Sequence, residues 1–133
     1  MSFQVVDSSV ITAALIDNGP EGEWSRRLLP EWACAAPSLL PYEVGNIIRR
    51  STIRGVLDAA AGANALDRLT RMPFAFMPFD VIARRAWALR SNITTYDAAY
   101  VATAELIGCR FLTLDRKLAK AHGPTCEIIT PEH

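Results

Sequence analysis

The chain has 133 residues, half of them apolar, and 14 Lys plus Arg balance 14 Asp plus Glu for a formal net charge of zero. That composition excludes a disordered tail, and it excludes a chain drawn to nucleic acid or an anionic membrane by its overall field, so any such contact has to come from a local patch. The length fits one domain over residues 1–133, which at this size buries roughly two-thirds of its unfolded surface without disulfide or metal staples.

Phe3, Val5 and Val6 form a short apolar run that stops at Asp7-Ser8-Ser9, and Val10, Ile11, Ala14 and Leu15 follow at helical spacing. This predicts strand, turn, helix. Asn18-Gly19-Pro20 breaks the chain before a second helix over residues 21–29, with Trp24, Leu28 and Leu29 on one side. Residues 32–36 read as a buried strand. Residues 39–54 read as a helix with Arg49, Arg50 and Arg54 as a solvated basic face near its C-terminal end and Gly55 as its stop. The Ala-rich segment 57–70 is another helix, carrying Leu57, Leu66 and Leu69, and residues 74–77 are a strand. Asp80 stands where an N-cap would open a helix over 81–90. Thr94-Thr95-Tyr96-Asp97 has the capping-box pattern ahead of a helix that Gly108 ends. Residues 110–114 read as a strand, Asp115 as the cap of a short helix over 116–121, and residues 127–130 as a last strand. Strands separated by helical stretches predict a three-layer α/β fold with a parallel sheet of about four to five strands.

Cys34, Cys109 and Cys126 are odd in number and widely spaced, which argues against a disulfide framework or a structural zinc site and for a reducing compartment. No apolar stretch approaches the roughly 20 residues of a membrane span, and no basic leader precedes a long apolar run, so a soluble, cytoplasmic protein is expected.

Four acids sit inside apolar segments: Asp7 in Val-Val-Asp, Glu43 in Leu-Pro-Tyr-Glu-Val, Asp97 in Thr-Tyr-Asp-Ala-Ala-Tyr and Asp115 in Leu-Thr-Leu-Asp. Asp7 and Asp115 each follow a predicted strand, Asp97 and Glu43 each fall early in a predicted helix, and in a parallel α/β sheet those places all face the carboxyl ends of the strands. Each acid also has a local explanation as a helix cap or first-turn anion. The local explanations leave the common edge unaccounted for. At an effective dielectric near 20, two unit charges about 4 Å apart repel by roughly 4 kcal/mol, so a cation should sit among the four. All-oxygen donors suit Mg²⁺ or Mn²⁺, and the natural substrate of such a site is a phosphodiester.

Val-Val-Asp7-Ser-Ser, Pro-Tyr-Glu43-Val, Thr-Thr-Tyr-Asp97-Ala-Ala-Tyr and Leu-Thr113-Leu-Asp115, in that order and spanning the chain, resemble the PIN-domain ribonucleases, and the size is similar to the VapC-type toxins of bacterial toxin–antitoxin pairs. The resemblance implies an α/β/α fold, Mg²⁺- or Mn²⁺-dependent endoribonuclease activity, a homodimer, and neutralisation by a small VapB-like antitoxin whose C-terminal segment covers the active site. It implies that Asp7 and Asp97 are the principal metal ligands, that Glu43 and Asp115 complete the cluster, and that Thr113 orients water or a ligand carboxylate. Many relatives carry a further acid shortly after the last Asp; here Arg116, Lys117 and Leu118 follow. Arg116 and Lys117 are candidates for RNA phosphate contacts. The competing expectations are a degenerate PIN domain that binds a protein partner, and a phosphatase or DNA nuclease using the same ions.

Overall fold

In the computed structural model, which describes residues 2–132, the chain runs β1 (Phe3–Val6), α1 (Ser8–Ile16), α2 (Pro20–Leu28), a 3-10 turn (Leu29–Glu31), β2 (Ala33–Pro37), α3 (Leu40–Ile53), α4 (Ala59–Arg71), β3 (Phe74–Met77), α5 (Phe79–Ala88), α6 (Thr95–Ile107), β4 (Arg110–Leu112), α7 (Arg116–Ala119) and β5 (Ile128–Ile129). The five strands form one parallel sheet in the order β3-β2-β1-β4-β5. The alternation expected from the sequence is the alternation found. Val5, Val6, Phe111 and Leu112 have no exposed surface, as central strands covered on both faces require.

Right-handed crossovers carry the chain from β1 through β2 to β3 with α1 to α4 on one face, and the return from β3 to β4 puts α5 and α6 on the other. In agreement, α1, α3 and α4 pack on one another, while α5 packs on α6. Helix α6 is buried continuously from Ala98 to Ala104, and its small alanines let it lie close against β1 and β2. Among the described residues no helix is long and apolar enough to cross a membrane.

Several boundaries differ from expectation for local reasons. Asp80 is not an N-cap: α5 already begins at Phe79 behind an extended Pro78, and Asp80 lies in its first turn. Leu57 precedes its helix because Asp58 caps α4, accepting from Ala61 N at 2.7 Å. The first helix starts at Ser8, two residues before its apolar pattern. Trp32 falls outside β2 and is 39% exposed, its ring lying 3.6 Å from the Arg110 guanidinium carbon.

That cation–π contact belongs to a lock at the amino ends of the strands. Gln4, in β1, has no exposed surface, yet its amide is satisfied: Nε2 donates to the Leu28 and Leu29 carbonyls at 3.1 and 3.2 Å, and Oε1 accepts from Arg110 Nε and Nη2 at 3.0 and 2.7 Å. Arg110 also pairs with Glu31 at 3.0 Å. One buried amide thereby ties β1, β4 and the 3-10 turn together.

On the helical side, α2 crowds the end of α1. A Cβ at Gly22 would stand 1.9 Å from the Asp17 carbonyl oxygen and 2.9 Å from that of Ala13, both backbone atoms that cannot step aside. At Gly45, in α3, a Cβ would meet nothing within 4 Å. Gly22→Ala is expected to destabilise the fold by about 1–3 kcal/mol through overpacking, whereas Gly45→Ala is expected to stabilise it by roughly 0.5–1 kcal/mol through reduced unfolded-state entropy. Urea denaturation of the two variants checks both signs.

Candidate active site

The strand order reverses between β1 and β4: the chain leaves β1 toward β3, then returns past it to β4 and β5. At such a switch point the connections leaving adjacent strands diverge and open a crevice at their carboxyl ends. Asp7 is the first residue beyond β1, Thr113 the first beyond β4, and Asp115 lies two further on.

Asp7 is 8% exposed and caps α1. Its Oδ1 accepts from Ser9 Oγ at 2.5 Å and Val10 N at 3.2 Å, and its Oδ2 accepts from the Thr113 hydroxyl. Ser9 Oγ in turn accepts from Leu114 N at 3.2 Å, and Thr113 Oγ1 accepts from Asp115 N at 3.1 Å. Two hydroxyls therefore stitch the exits of β1 and β4 around one carboxylate. Burial pushes the Asp7 carboxyl up to about 6 from 3.8, against the lowering effect of Ser9, Thr113 and Val10, and the charge of Asp97 adds to the rise.

Asp97 occupies the first turn of α6, where Thr94 Oγ1 accepts from its N–H at 3.2 Å. Its carboxyl is also raised, by burial first and then by the neighbouring charge of Asp115, with Thr94 opposing. Asp115 is exposed and caps α7, its Oδ1 accepting from Lys117 N at 2.9 Å and Leu118 N at 3.2 Å. Glu43, in the first turn of α3, accepts at Oε1 from the Tyr100 hydroxyl at 2.6 Å. Burial, then Glu43, push the Tyr100 phenol far above its usual range.

The four predicted acids thus fall into a chain. Asp97 is electrostatically coupled to Asp7 and to Asp115, and Glu43 joins from the far side through Tyr100. Among the described residues no three His, Cys, Asp or Glu side chains close on a single point as a ready-made cation cage. The ion pairs Arg71–Asp67, Arg85–Glu105 and Arg110–Glu31 all use other carboxylates.

Beside Asp97 and Asp115 runs an open groove of about 510 Å³ whose lining includes Arg90, Asn92, Thr94 and Lys117. Two larger cavities, about 650 and 720 Å³, sit at the amino ends of the strands around Trp32 and contain none of the four acids. Of the two basic candidates, Lys117 lines the groove, while Arg116 donates to the Pro131 carbonyl at 3.4 Å. Arg49, Arg50 and Arg54 are exposed, as expected of a solvated face.

Ser9 and Tyr100 were not among the candidate residues of the sequence. Ser9 reads there as part of a turn, although its spacing of two from a strand-ending Asp is what lets a hydroxyl reach back to that carboxylate. Tyr100 sits three residues after Asp97, one helical turn along the same face, which is the available signal.

The PIN-domain family model matches residues 5–124. The chain belongs to the PIN-domain family. Ribonuclease VapC1 of Mycobacterium tuberculosis is 37% identical over 125 residues, covering 93% of this chain and 94% of that protein. Ribonuclease VapC9 of the same organism is 34% identical over 124 residues, covering 93% and 94%. Among solved structures, VapC20 of M. tuberculosis, a Sarcin-Ricin loop cleaving toxin, superposes with a TM-score of 0.67 at 14% identity over 88% of this chain and 93% of that one. VapBC2 of Rickettsia felis, bound to a DNA fragment from their promoter, gives 0.67 at 12% identity over 96% and 98%. At those identities the two structures speak for the PIN fold.

A carboxyl held near 6 in place of 3.8 costs the folded state about 3 kcal/mol once both forms are ionised. The folded state holds the Asp7 proton more tightly, so this contribution is favourable below pH 3.8 and is lost as pH rises through about 6. In chelator, Asp7→Asn is therefore expected to be more stable than the wild type at pH 8, by about 2 kcal/mol after the weakening of its hydrogen bonds. The gain should vanish by about pH 4, which thermal unfolding across that range measures.

Proposed function

We propose that this chain is an endoribonuclease toxin of the VapC type, in which Asp7, Asp97, Glu43 and Asp115 form the acidic site, Thr113 orients the Asp7 carboxylate, and Mg²⁺ or Mn²⁺ is the cofactor. The observation that carries the reading is the buried, hydroxyl-held Asp7 carboxylate coupled to Asp97 at the switch point. Relatives named ribonucleases, 34–37% identical over most of the chain, support RNA hydrolysis over a degenerate binding module.

The donor set fits a hard divalent cation. It is all oxygen, the charge of Asp97 adds to the rise at Asp7 and that of Asp115 to the rise at Asp97, and Asp7 Oδ2 spends only one lone pair on Thr113. A three-carboxylate cage is not needed, because Mg²⁺ keeps several waters and takes one or two carboxylates directly. Asp7 and Asp97 are the principal ligands in this reading, and Glu43 and Asp115 complete the cluster. When bound, such an ion activates water and stabilises the leaving oxygen of a phosphodiester displacement. The protein's own part is to hold the carboxylates: Thr113 and Ser9 fix the Asp7 rotamer, Thr94 fixes the first turn that carries Asp97, and the α7 amides fix Asp115. The groove beside them, with Arg90 and Lys117, is the path for the RNA backbone. A small antitoxin protein that covers this crevice, and a homodimer, complete the reading.

Purified, antitoxin-free protein is expected to cut total RNA into discrete fragments in Mn²⁺, with activity lost in chelator and lost in Asp97→Asn prepared identically. Equal cleavage by Asp97→Asn would overturn the site, and wild-type protein that neither cleaves RNA nor binds Mn²⁺ would overturn the function. In the inactive Asp97→Asn background, Lys117→Ala is expected to lower the slope of log affinity against log salt by roughly 0.7, one single-strand phosphate contact. An unchanged slope in a filter-binding series would remove Lys117 from the RNA path.

A further inference from the structure

Tyr100 is 2% exposed and lies one helical turn beyond Asp97 on α6, the helix layer opposite the one that carries Glu43. Its ring stacks on Phe111 of β4, with centroids 6.0 Å apart and planes 5° from parallel. Its hydroxyl crosses the carboxyl edge of the sheet to donate to Glu43 Oε1 at 2.6 Å. A core position needs only the ring. The hydroxyl is spent on one carboxylate that is otherwise a long, partly exposed side chain at the rim of the site.

We propose that Tyr100 is a positioning residue of the RNA-cleaving site, its hydroxyl holding the Glu43 carboxylate toward Asp7 so that the acid delivered from α3 joins the acids delivered from β1 and α6. The inference rests on the ribonuclease reading above and adds a residue to it. A phenol is protonated at neutral pH and donates a single hydrogen bond, so it fixes Oε1 and makes no claim on Oε2. The stack on Phe111 denies the ring other rotamers, so the hydroxyl is aimed by the same strand whose end places Thr113 and Asp115. Without this donor the partly exposed Glu43 side chain regains rotamer freedom, and its carboxylate is no longer held toward Asp7.

The test is Tyr100→Phe, which keeps the ring and its stack and deletes the hydroxyl alone. Mn²⁺ binding, read from the electron paramagnetic resonance signal of the free ion, is expected to weaken by about 10-fold, the usual effect of losing a group that orients a ligand. In RNA cleavage kcat is expected to fall by a similar factor, about 10-fold, while KM, set by the groove, stays near the wild-type value. Because the hydroxyl acts through Glu43, Tyr100→Phe is expected to add no further loss in a Glu43→Gln background. Wild-type Mn²⁺ affinity and kcat in Tyr100→Phe would overturn the inference and leave the ribonuclease reading intact. Additive losses in the double variant, or a Tyr100→Phe chain that fails to fold, would also overturn it, assigning Tyr100 to the core. Wild-type protein that neither cleaves RNA nor binds Mn²⁺ would remove both readings together.

Discussion

Burying the Asp7 carboxylate between the exits of β1 and β4 is the constraint to which the surrounding structure answers. Desolvation disfavours its charged form, and Asp97 adds a like charge, so the fold is organised around an unfavourable group. What makes the arrangement tolerable is local: two hydroxyls and one backbone N–H converge on the carboxylate, and the hydroxyls are themselves held by N–H groups of the other exit loop. Removing either hydroxyl would leave a buried lone pair unmet and loosen the join between the two strands.

The same two strands are fixed at their other end. Gln4 and Arg110 are partners in the β1–β4 register, and their side chains close a network with the 3-10 turn, Glu31 and Trp32. A parallel pair pinned at both ends cannot slip, and a one-residue slip would move Thr113 to the wrong face of β4 and uncouple it from Asp7. The stability that the site lacks is supplied at the opposite edge, by a buried amide whose donors and acceptor are used. Under the proposed function this separation suits the site, since a crevice that receives a cation and a phosphodiester gains by holding its charges unneutralised.

Much of this was legible in the sequence where a pattern is local. Apolar runs flanked by turn residues located all five strands, and acids inside apolar segments singled out Asp7, Glu43, Asp97 and Asp115 before any geometry. What was not legible depends on register between distant segments. The hydroxyl of Ser9 looks like turn chemistry until β4 lies beside β1, and Tyr100 looks like an aromatic core position until α3 is seen across the sheet edge. The expectation of Asp80 as a cap failed because Pro78, already extended, starts α5 two residues earlier. In that case two adjacent signals competed, and the backbone restriction of proline prevailed over side-chain capping.

Capping and chemistry are not rival explanations of the acids. Asp7 and Asp115 do cap α1 and α7, and Asp97 and Glu43 do lie in first turns, as their local contexts suggest. A parallel α/β sheet starts its helices at the carboxyl edge, so the residue types preferred at helix starts are gathered there, and the positive ends of those helices face the gathered charge. The magnitudes decide whether that is sufficient. A helix terminus stabilises an anion by about 0.3–1 kcal/mol, whereas two carboxylates about 4 Å apart at an effective dielectric near 20 repel by roughly 4 kcal/mol. The dipoles reduce such a repulsion without cancelling it, and the charge of Asp97 adds to the rise that burial produces at Asp7, as the charge of Asp115 does at Asp97. In the proposed reading a divalent cation supplies the missing charge directly, so the features that make each acid a good cap are also those that leave the four together short of positive charge.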